Sequence, residues 1–315
     1  MIETLLLDQE TVTRLLRPRD LLDALTDGFR SLSAGEVVAP TRLELTVEKG
    51  FCLSMPAWRP GGRFAVKLVN VFEGNGELGL PSHQAVINVF DSETGTCEAV
   101  LDGTAITALR TAGAAAVSVE LLARPDAKVM TIIGAGVQGR AHLELVPHVR
   151  EVEEIHVGSL RLEDAERLAQ ADPRASAVSN WQEAVETSDI VCLCTHGGQA
   201  VIDAGWVADG AHVTSVGYKE PAGELPRELL DRGSLFLETR LAFEPPPTGC
   251  FELEGLDPAQ GTELGEVLAG DQPGRSSDGE ITVYKAMGHA IEDLVVAELV
   301  LDAARREGAG QQVRL

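Results

Sequence analysis

Aromatic side chains are scarce in this chain, with eight Phe, two Tyr and three Trp among 315 residues. A core built from it must be mainly aliphatic. Positive charge is also short: 26 Lys and Arg face 49 Asp and Glu, a net charge of −23. Such a surface repels a phosphate backbone, which argues against a nucleic-acid partner. An anionic ligand would need a local basic pocket, so clustered Arg and Lys become informative. Five cysteines (Cys52, Cys97, Cys192, Cys194 and Cys250) form no even disulfide framework. Cys192 and Cys194 alternate along the strand-like "DIVCLCT" and so face opposite ways, which suits buried small hydrophobes better than a shared metal. No HExxH or CxxC pair occurs, and no metal is expected. No uninterrupted apolar run reaches the roughly 18 residues of a membrane span. The N-terminal "MIETLLLDQETV" lacks the basic region and long apolar core of a signal peptide. These absences lead to the expectation of a soluble, cytoplasmic protein with no membrane partner.

What is present falls into two patterns. From residue 129 onward, short apolar runs alternate with amphipathic stretches. "VMTII", "EEIHVGS", "DIVCLCT", "HVTSVG" and "SLFLET" read as strands, and "RAHLELV", "RLEDAERLAQAD" and "WQEAVETS" as helices. Alternating β and α with buried-type strands predicts an α/β, doubly wound parallel sheet. Before residue 110 the pattern is different. One helical stretch, "TRLLRPRDLLDALTDGFRSLSAG", precedes the strands "TRLELTVE", "FCLSMPA", "FAVKLVNVF" and the hairpin "QAVINVFDSETGTCEAVLDG", whose Gly95 supplies a left-handed residue. Antiparallel strands plus a helix predict an α+β unit. An Ala-rich helix over 106–124 joins the two patterns. A Pro- and Gly-rich region, "FEPPPTG" to "DQPGRSSDG", leads to a last strand and a long amphipathic helix.

Gly134, Gly136 and Gly139 give G-x-G-x-x-G directly after a strand and opening a helix. Gly134 permits a tight turn, Gly136 lets backbone approach a pyrophosphate, and Gly139 lets helix and strand pack closely. With Val137 and Gln138 between them, these residues are assigned to a dinucleotide. The usual sequel is an acid about 20 residues on, at the end of the second strand, which bonds the ribose 2′-hydroxyl of NAD. Here the strand ends "IHVGSLR". Ser159 and Arg161 could accept a 2′-phosphate that an acid would repel, which favours NADP(H) over NAD(H). The alternative is that Arg161 merely starts a solvated helix and NAD is held without the acid.

The ordered blocks "FAVKLVNVFEGNGELGLPSHQAVINVFDSETGTCEAVLDGTAITALRTAGAAAVSVELLAR", "TIIGAGVQGRAH" and "TELGEVLAGDQPGRSSDGEITVYKAMGHAIEDLVVAELV" resemble the ornithine cyclodeaminase/mu-crystallin family over nearly the whole chain. The resemblance implies a Rossmann-type domain (113–284) inserted into an α+β substrate-binding and dimerisation domain (1–112 with 285–315). It also implies a homodimer that uses the N-terminal strands and the 289–307 helix, including Ile291, Leu294, Val295 and Leu299. Arg42, Lys67 and Arg110 match the family's cationic pocket for a substrate carboxylate. Each is also odd locally: Lys67 sits among apolar neighbours in a buried-type strand, and Arg110 lies among small residues in the Ala-rich helix. Buried cations need partners, and a substrate carboxylate or the chain's own acids would both serve. Ser82, Thr195 and Gly217 are implied to line the cofactor.

One departure bears on the reaction. Where cyclodeaminases carry a catalytic Asp, this chain reads "VGYKEPAGEL", which puts Lys219 at that position with Glu220 beside it. A one-residue shift would place Glu220 there, and a solvated loop Lys219 is an equal reading. A lysine would repel a second ammonium, so ornithine conversion to proline and ammonia becomes the secondary reading. The expected activity is an NAD(P)-dependent oxidoreductase on a small imino, amino or 2-oxo acid, in the ketimine reductase or alanine dehydrogenase sense, with Lys67 and Lys219 as the catalytic candidates. A cofactor-binding protein without turnover is the rival. Glu292 and Asp293 are secondary acid/base candidates that read more readily as helix-capping or surface acids, and His289 reads as structural.

Overall fold

The structure, a computed structural model, describes residues 3–314. The chain divides into two compact units. The first holds the chain up to Arg110 together with the segment from His289 onward, and the second holds Thr111–Gly288.

The first unit begins with strand β1 (Glu3–Leu7) and helices α1 (Gln9–Leu15) and α2 (Pro18–Ser33). The sequence predicts one helix here. Two form because Pro18 has no N–H to donate and restricts Arg17 to extended backbone, so the chain breaks and restarts with Pro at the first helical position. Then come β2 (Leu43–Val47), β3 (Gly50–Trp58), β4 (Phe64–Val71), β5 (His83–Phe90) and β6 (Cys97–Asp102). Gly95 takes φ 69° in the β5–β6 turn, as the hairpin pattern requires.

Helix α3 (Gly103–Leu122) starts earlier than its apolar pattern suggests, because Asp102 accepts the Ala105 N–H at 2.7 Å and caps it. Its length and composition would suffice to cross a bilayer, although Arg110 and Glu120 interrupt it. Most of it is instead buried in protein, with Ala112, Ala114, Ala115 and Ala116 fully so.

The second unit alternates β7 (Val129–Ile133), α4 (Val137–Leu145), β8 (Glu154–Gly158), α5 (Leu162–Ala169), β9 (Ala175–Val178), α6 (Trp181–Glu186), β10 (Ile190–Leu193) and β11 (His212–Ser215). It continues with β12 (Gly233–Leu237), β13 (Gly261–Glu263), α7 (Leu264–Ala269) and β14 (Ile281–Lys285). These strands form one sheet in the order β13-β12-β14-β11-β10-β7-β8-β9, with every pairing parallel. This is a doubly wound α/β sheet. The chain leaves β7 toward β8 on one side and returns as β10 on the other, so the crevice at the carboxyl ends of β7 and β10 is the topological switch point.

Helix α8 (Ala290–Glu307) and β15 (Gln311–Arg314) complete the first unit. Its sheet runs β15-β1-β6-β5-β4-β3-β2, antiparallel except for β1 beside β6. One face carries Leu53, Met55, Lys67, Val69, Ile87 and Val89, which are buried under α8, with α2 packed on α8 in turn. The sequence expectation places Ile291, Leu294 and Val295 at an intersubunit surface. The structure instead buries them within their own unit, where α8 packs on α2, β3, β4 and β5. At about 1.5–3 kcal/mol for each large aliphatic side chain, this burial is a main source of that unit's stability. Exposed apolar surface lies elsewhere, on the edge strand β2, where Leu43 is 72% and Leu45 65% exposed.

Candidate functional site

Strand β4 directs Lys67 to the helix-covered face, where it is 1% exposed. A lysine there must keep or lose its proton according to its neighbours. Its Nζ lies 2.8 Å from Asp293 Oδ2 and donates to Oδ1 at 2.9 Å. Arg110, on α3, pairs with Glu292 at 3.1 Å and lies 3.4 Å from Asp293. Both acids come from the first turn of α8, where the helix dipole also favours negative charge. Burial pulls the Lys67 amine down to about 8, opposed by Asp293 and reinforced by Arg110.

Glu292 does two things. Its Oε1 accepts the His289 N–H at 2.5 Å, half of a capping box, while Oε2 holds Arg110. His289 closes the box by accepting the Ile291 N–H through Nδ1 at 3.2 Å. Burial, and then Arg42, push this imidazole down to about 4, so it is neutral near pH 7. Arg42, half-buried just before β2, thus acts on the same neighbourhood. Lys67 and Arg110 are brought together, with Arg42 in electrostatic reach. Ser82, in the same unit, is exposed in the loop before β5 and contacts His83 at 3.1 Å. Glu292 and Asp293 are neither surface acids nor simple caps: both are 1% exposed and are the counterions of the cluster. Acids in a first helical turn ordinarily mean capping, which hid this role from the sequence.

In the second unit the glycine turn joins β7 to α4. Gly134 has φ 118°, and a Cβ there would lie 2.4 Å from the Cys194 carbonyl oxygen at the end of β10. A Cβ on Gly139 would lie 1.9 Å from the Gly134 oxygen. Gly136 is different: nothing lies within 4 Å of where its Cβ would be. It is the N-cap of α4 and offers no side chain to the first N–H groups. Those donors, with Val137 exposed beside them, are suited to a pyrophosphate at a helix N-terminus. The residues present therefore fit a dinucleotide.

Past β8, Gly158 is held against Trp181, Ser159 is half-buried, and Arg161 is 76% exposed on its side chain, paired with Asp164 at 2.6 Å. Thr195 follows β10, and Gly217 follows β11. Lys219 is half-buried in that second loop, its carbonyl accepting the Gly223 N–H at 2.9 Å, and Glu220 is exposed. Cys192 and Cys194 are buried, the first thiol pushed up to about 12, which makes both inert packing groups.

A family model described as the ornithine cyclodeaminase/mu-crystallin family matches residues 2–308. The chain belongs to this family. It is 36% identical to the ketimine reductase mu-crystallin of Mus musculus over 308 residues, 94% of this chain and 96% of the relative. Among solved structures it is similar to the Delta(1)-pyrroline-2-carboxylate reductase of Thermococcus litoralis in complex with NADH and L-proline. That likeness has a TM-score of 0.92 and 33% identity, and covers 98% of this chain and 100% of the other. An archaeal alanine dehydrogenase dimer with bound NAD gives a TM-score of 0.88 and 30% identity, with 100% of both chains covered. The ornithine cyclodeaminase/mu-crystallin architecture thus spans this chain end to end, with a nucleotide-type α/β unit between the two segments of the other unit.

Proposed function

We infer that this protein is an NAD(P)-dependent oxidoreductase acting on a small imino or amino acid, and we propose that it works as a ketimine-type reductase. The observation that carries the substrate class is the buried set of Lys67 and Arg110 with Asp293 and Glu292. Such a set costs desolvation that well-packed apolar residues would avoid, so it suits a site where charge is used. On this reading Arg42, Lys67 and Arg110 bind the substrate carboxylate, the guanidinium offering a fork and Lys67 a point charge. Pinning the carboxylate orients the α-carbon beside it. Gly134, Gly136, Val137, Gln138 and Gly139 would hold the dinucleotide, with Thr195 and Gly217 completing its surroundings within the same unit. The bound nicotinamide supplies the hydride.

The finer cofactor preference is NADP(H). Ser159 and Arg161 support it, because a single exposed ion pair to Asp164 is worth little and can be exchanged for a 2′-phosphate. The protein is proposed to be a cytoplasmic homodimer.

The reading is tested by mixing the purified protein with NADPH or NADH and a panel of cyclic ketimine carboxylates and of 2-oxo acids with ammonium. Oxidation of the reduced cofactor with at least one carboxylate-bearing imine is expected. Tight cofactor binding with no turnover across the panel would instead mean a binder.

A further inference from the structure

The second unit holds another buried charge cluster, at the carboxyl ends of its central strands. Glu224 is 0% exposed and lies in the loop beyond β11. Its Oε2 accepts the Thr195 N–H at 2.6 Å and the Thr195 hydroxyl at 2.7 Å. Its Oε1 accepts the N–H groups of Gly217 at 2.6 Å and Val216 at 3.1 Å, and the Ser215 hydroxyl at 3.1 Å. Two carboxylate oxygens offer about four lone-pair sites, so five donors saturate them.

The cluster extends to Lys285, at the end of β14 and also fully buried. It donates to the Gly217 carbonyl at 2.7 Å, to Ser215 Oγ at 3.2 Å and to Glu252 at 2.9 Å. Glu252 in turn accepts the Glu224 and Leu225 N–H groups at 3.1 and 3.3 Å. The loops after β10 and β11 are therefore tied to one carboxylate, which a buried lysine and a second carboxylate hold in place. They also touch directly, since a Cβ on Gly217 would lie 2.1 Å from the Thr195 carbonyl oxygen.

This fixes the polarity of Thr195. Its hydroxyl proton is committed to Glu224, so Oγ1 offers only lone pairs in other directions. One of them takes the Gly197 N–H at 3.2 Å. We propose that Glu224 is a positioning residue for the cofactor: it holds the β10 and β11 loops in register and keeps the Thr195 hydroxyl an acceptor for a ligand N–H, such as a carboxamide. The proposal rests on the assignment of this unit to NAD(P).

Glu224→Gln would place an NH2 group against donors. On the Thr195 side the hydroxyl would have to turn and accept from it, which reverses what Thr195 presents to a ligand. If the NH2 faced Gly217 instead, the backbone N–H groups there would lose their acceptor. The test measures dissociation constants for NADPH and NADH by titration in wild type, Glu224→Gln, Thr195→Val and the double variant, with thermal midpoints alongside. Each single change is expected to weaken binding by about tenfold, the scale of one hydrogen bond. The double variant is expected to lose much less than the product, because both changes remove one interaction. At saturating cofactor, the KM for the carboxylate substrate is expected to hold. Wild-type affinity in Glu224→Gln, or losses that multiply in the double variant, would overturn the proposal. If Glu224→Gln does not fold, Thr195→Val decides alone, and unchanged binding refutes. Wild-type protein that binds neither nucleotide would overturn the cofactor assignment, and this proposal with it.

Discussion

At pH 7 Lys67 carries an ammonium in a place shielded from water, and its acid–base behaviour is set by three neighbours. Burial lowers it to about 8, Asp293 resists, and Arg110 adds to the fall. The ammonium is the form that binds a carboxylate. The value of kcat/KM for a carboxylate substrate should therefore fall as pH rises through about 8, approaching tenfold per pH unit beyond it. Lys67→Arg should move this limb far out, because guanidinium keeps its proton. Asp293→Asn should move it to lower pH, because the support for the charge is gone, and should destabilise the fold by roughly 3–5 kcal/mol. A profile that stays flat well above pH 8 would remove Lys67 from the binding role. Lys67 was legible in the sequence because a charge in an apolar strand is conspicuous. Its counterions were not, since two acids opening a helix look like ordinary capping. Glu224 and Glu252 gave no signal at all. Glu224 sits in an aperiodic loop and Glu252 in a single short helical turn, and only the folded chain brings them to Lys285.

Among the elements, the β7–α4 turn was readable because a short apolar run, three glycines and a helical period follow one another. Strands β9, β13 and β15 were not, being short and without the buried apolar run that marks the equally short β10. The proposed cofactor preference rests on the β8–α5 connection. NADPH should bind more tightly than NADH, and Arg161→Ala should erode the difference. Equal affinities in titrations of the wild-type protein would leave NAD(H) and NADP(H) undistinguished and refute the preference. The loop after β11 carries the question of ornithine. If Lys219 stands where cyclodeaminases have their Asp, the distal ammonium of ornithine meets a cation. Like charges at about 4 Å repel by around 1 kcal/mol in water and by several in a drier setting. Proline formation from ornithine should be slow in wild type and faster in Lys219→Asp. Brisk wild-type conversion would shift the alignment to Glu220 and return this chain to the cyclodeaminases.

For the whole molecule, three buried histidines set the response to acid. Burial holds His142 and His289 near 4 and His212 near 3, against 6.5 in an exposed chain. The folded forms stay neutral while the unfolded chain takes up protons as pH falls below 6.5. Their contribution to stability is therefore complete above that value and is lost between 6.5 and about 4. The thermal midpoint should drop across this window, and His142→Gln should flatten the drop. An invariant midpoint would mean that these rings are charged inside the fold.

The proposed homodimer is expected to form through β2. An edge strand with Leu43, Leu45 and Val47 exposed on one face is a surface that folded proteins normally cover. A second copy is the proposed cover; the similar archaeal alanine dehydrogenase is a dimer. Leu45→Glu should convert a dimer to monomers in sedimentation, and a wild-type protein that sediments as a monomer would refute the arrangement.

On the proposed function, this chain reduces an imine whose carboxylate is held by the Lys67–Arg110 cluster. The most direct measurement follows NADPH oxidation with a cyclic imine carboxylate and with the same ring lacking the carboxylate, in wild type and in Lys67→Ala. Turnover is expected only for wild type with the carboxylate-bearing ring. Equal rates with the carboxylate-free ring, or an undiminished rate in Lys67→Ala, would contradict it.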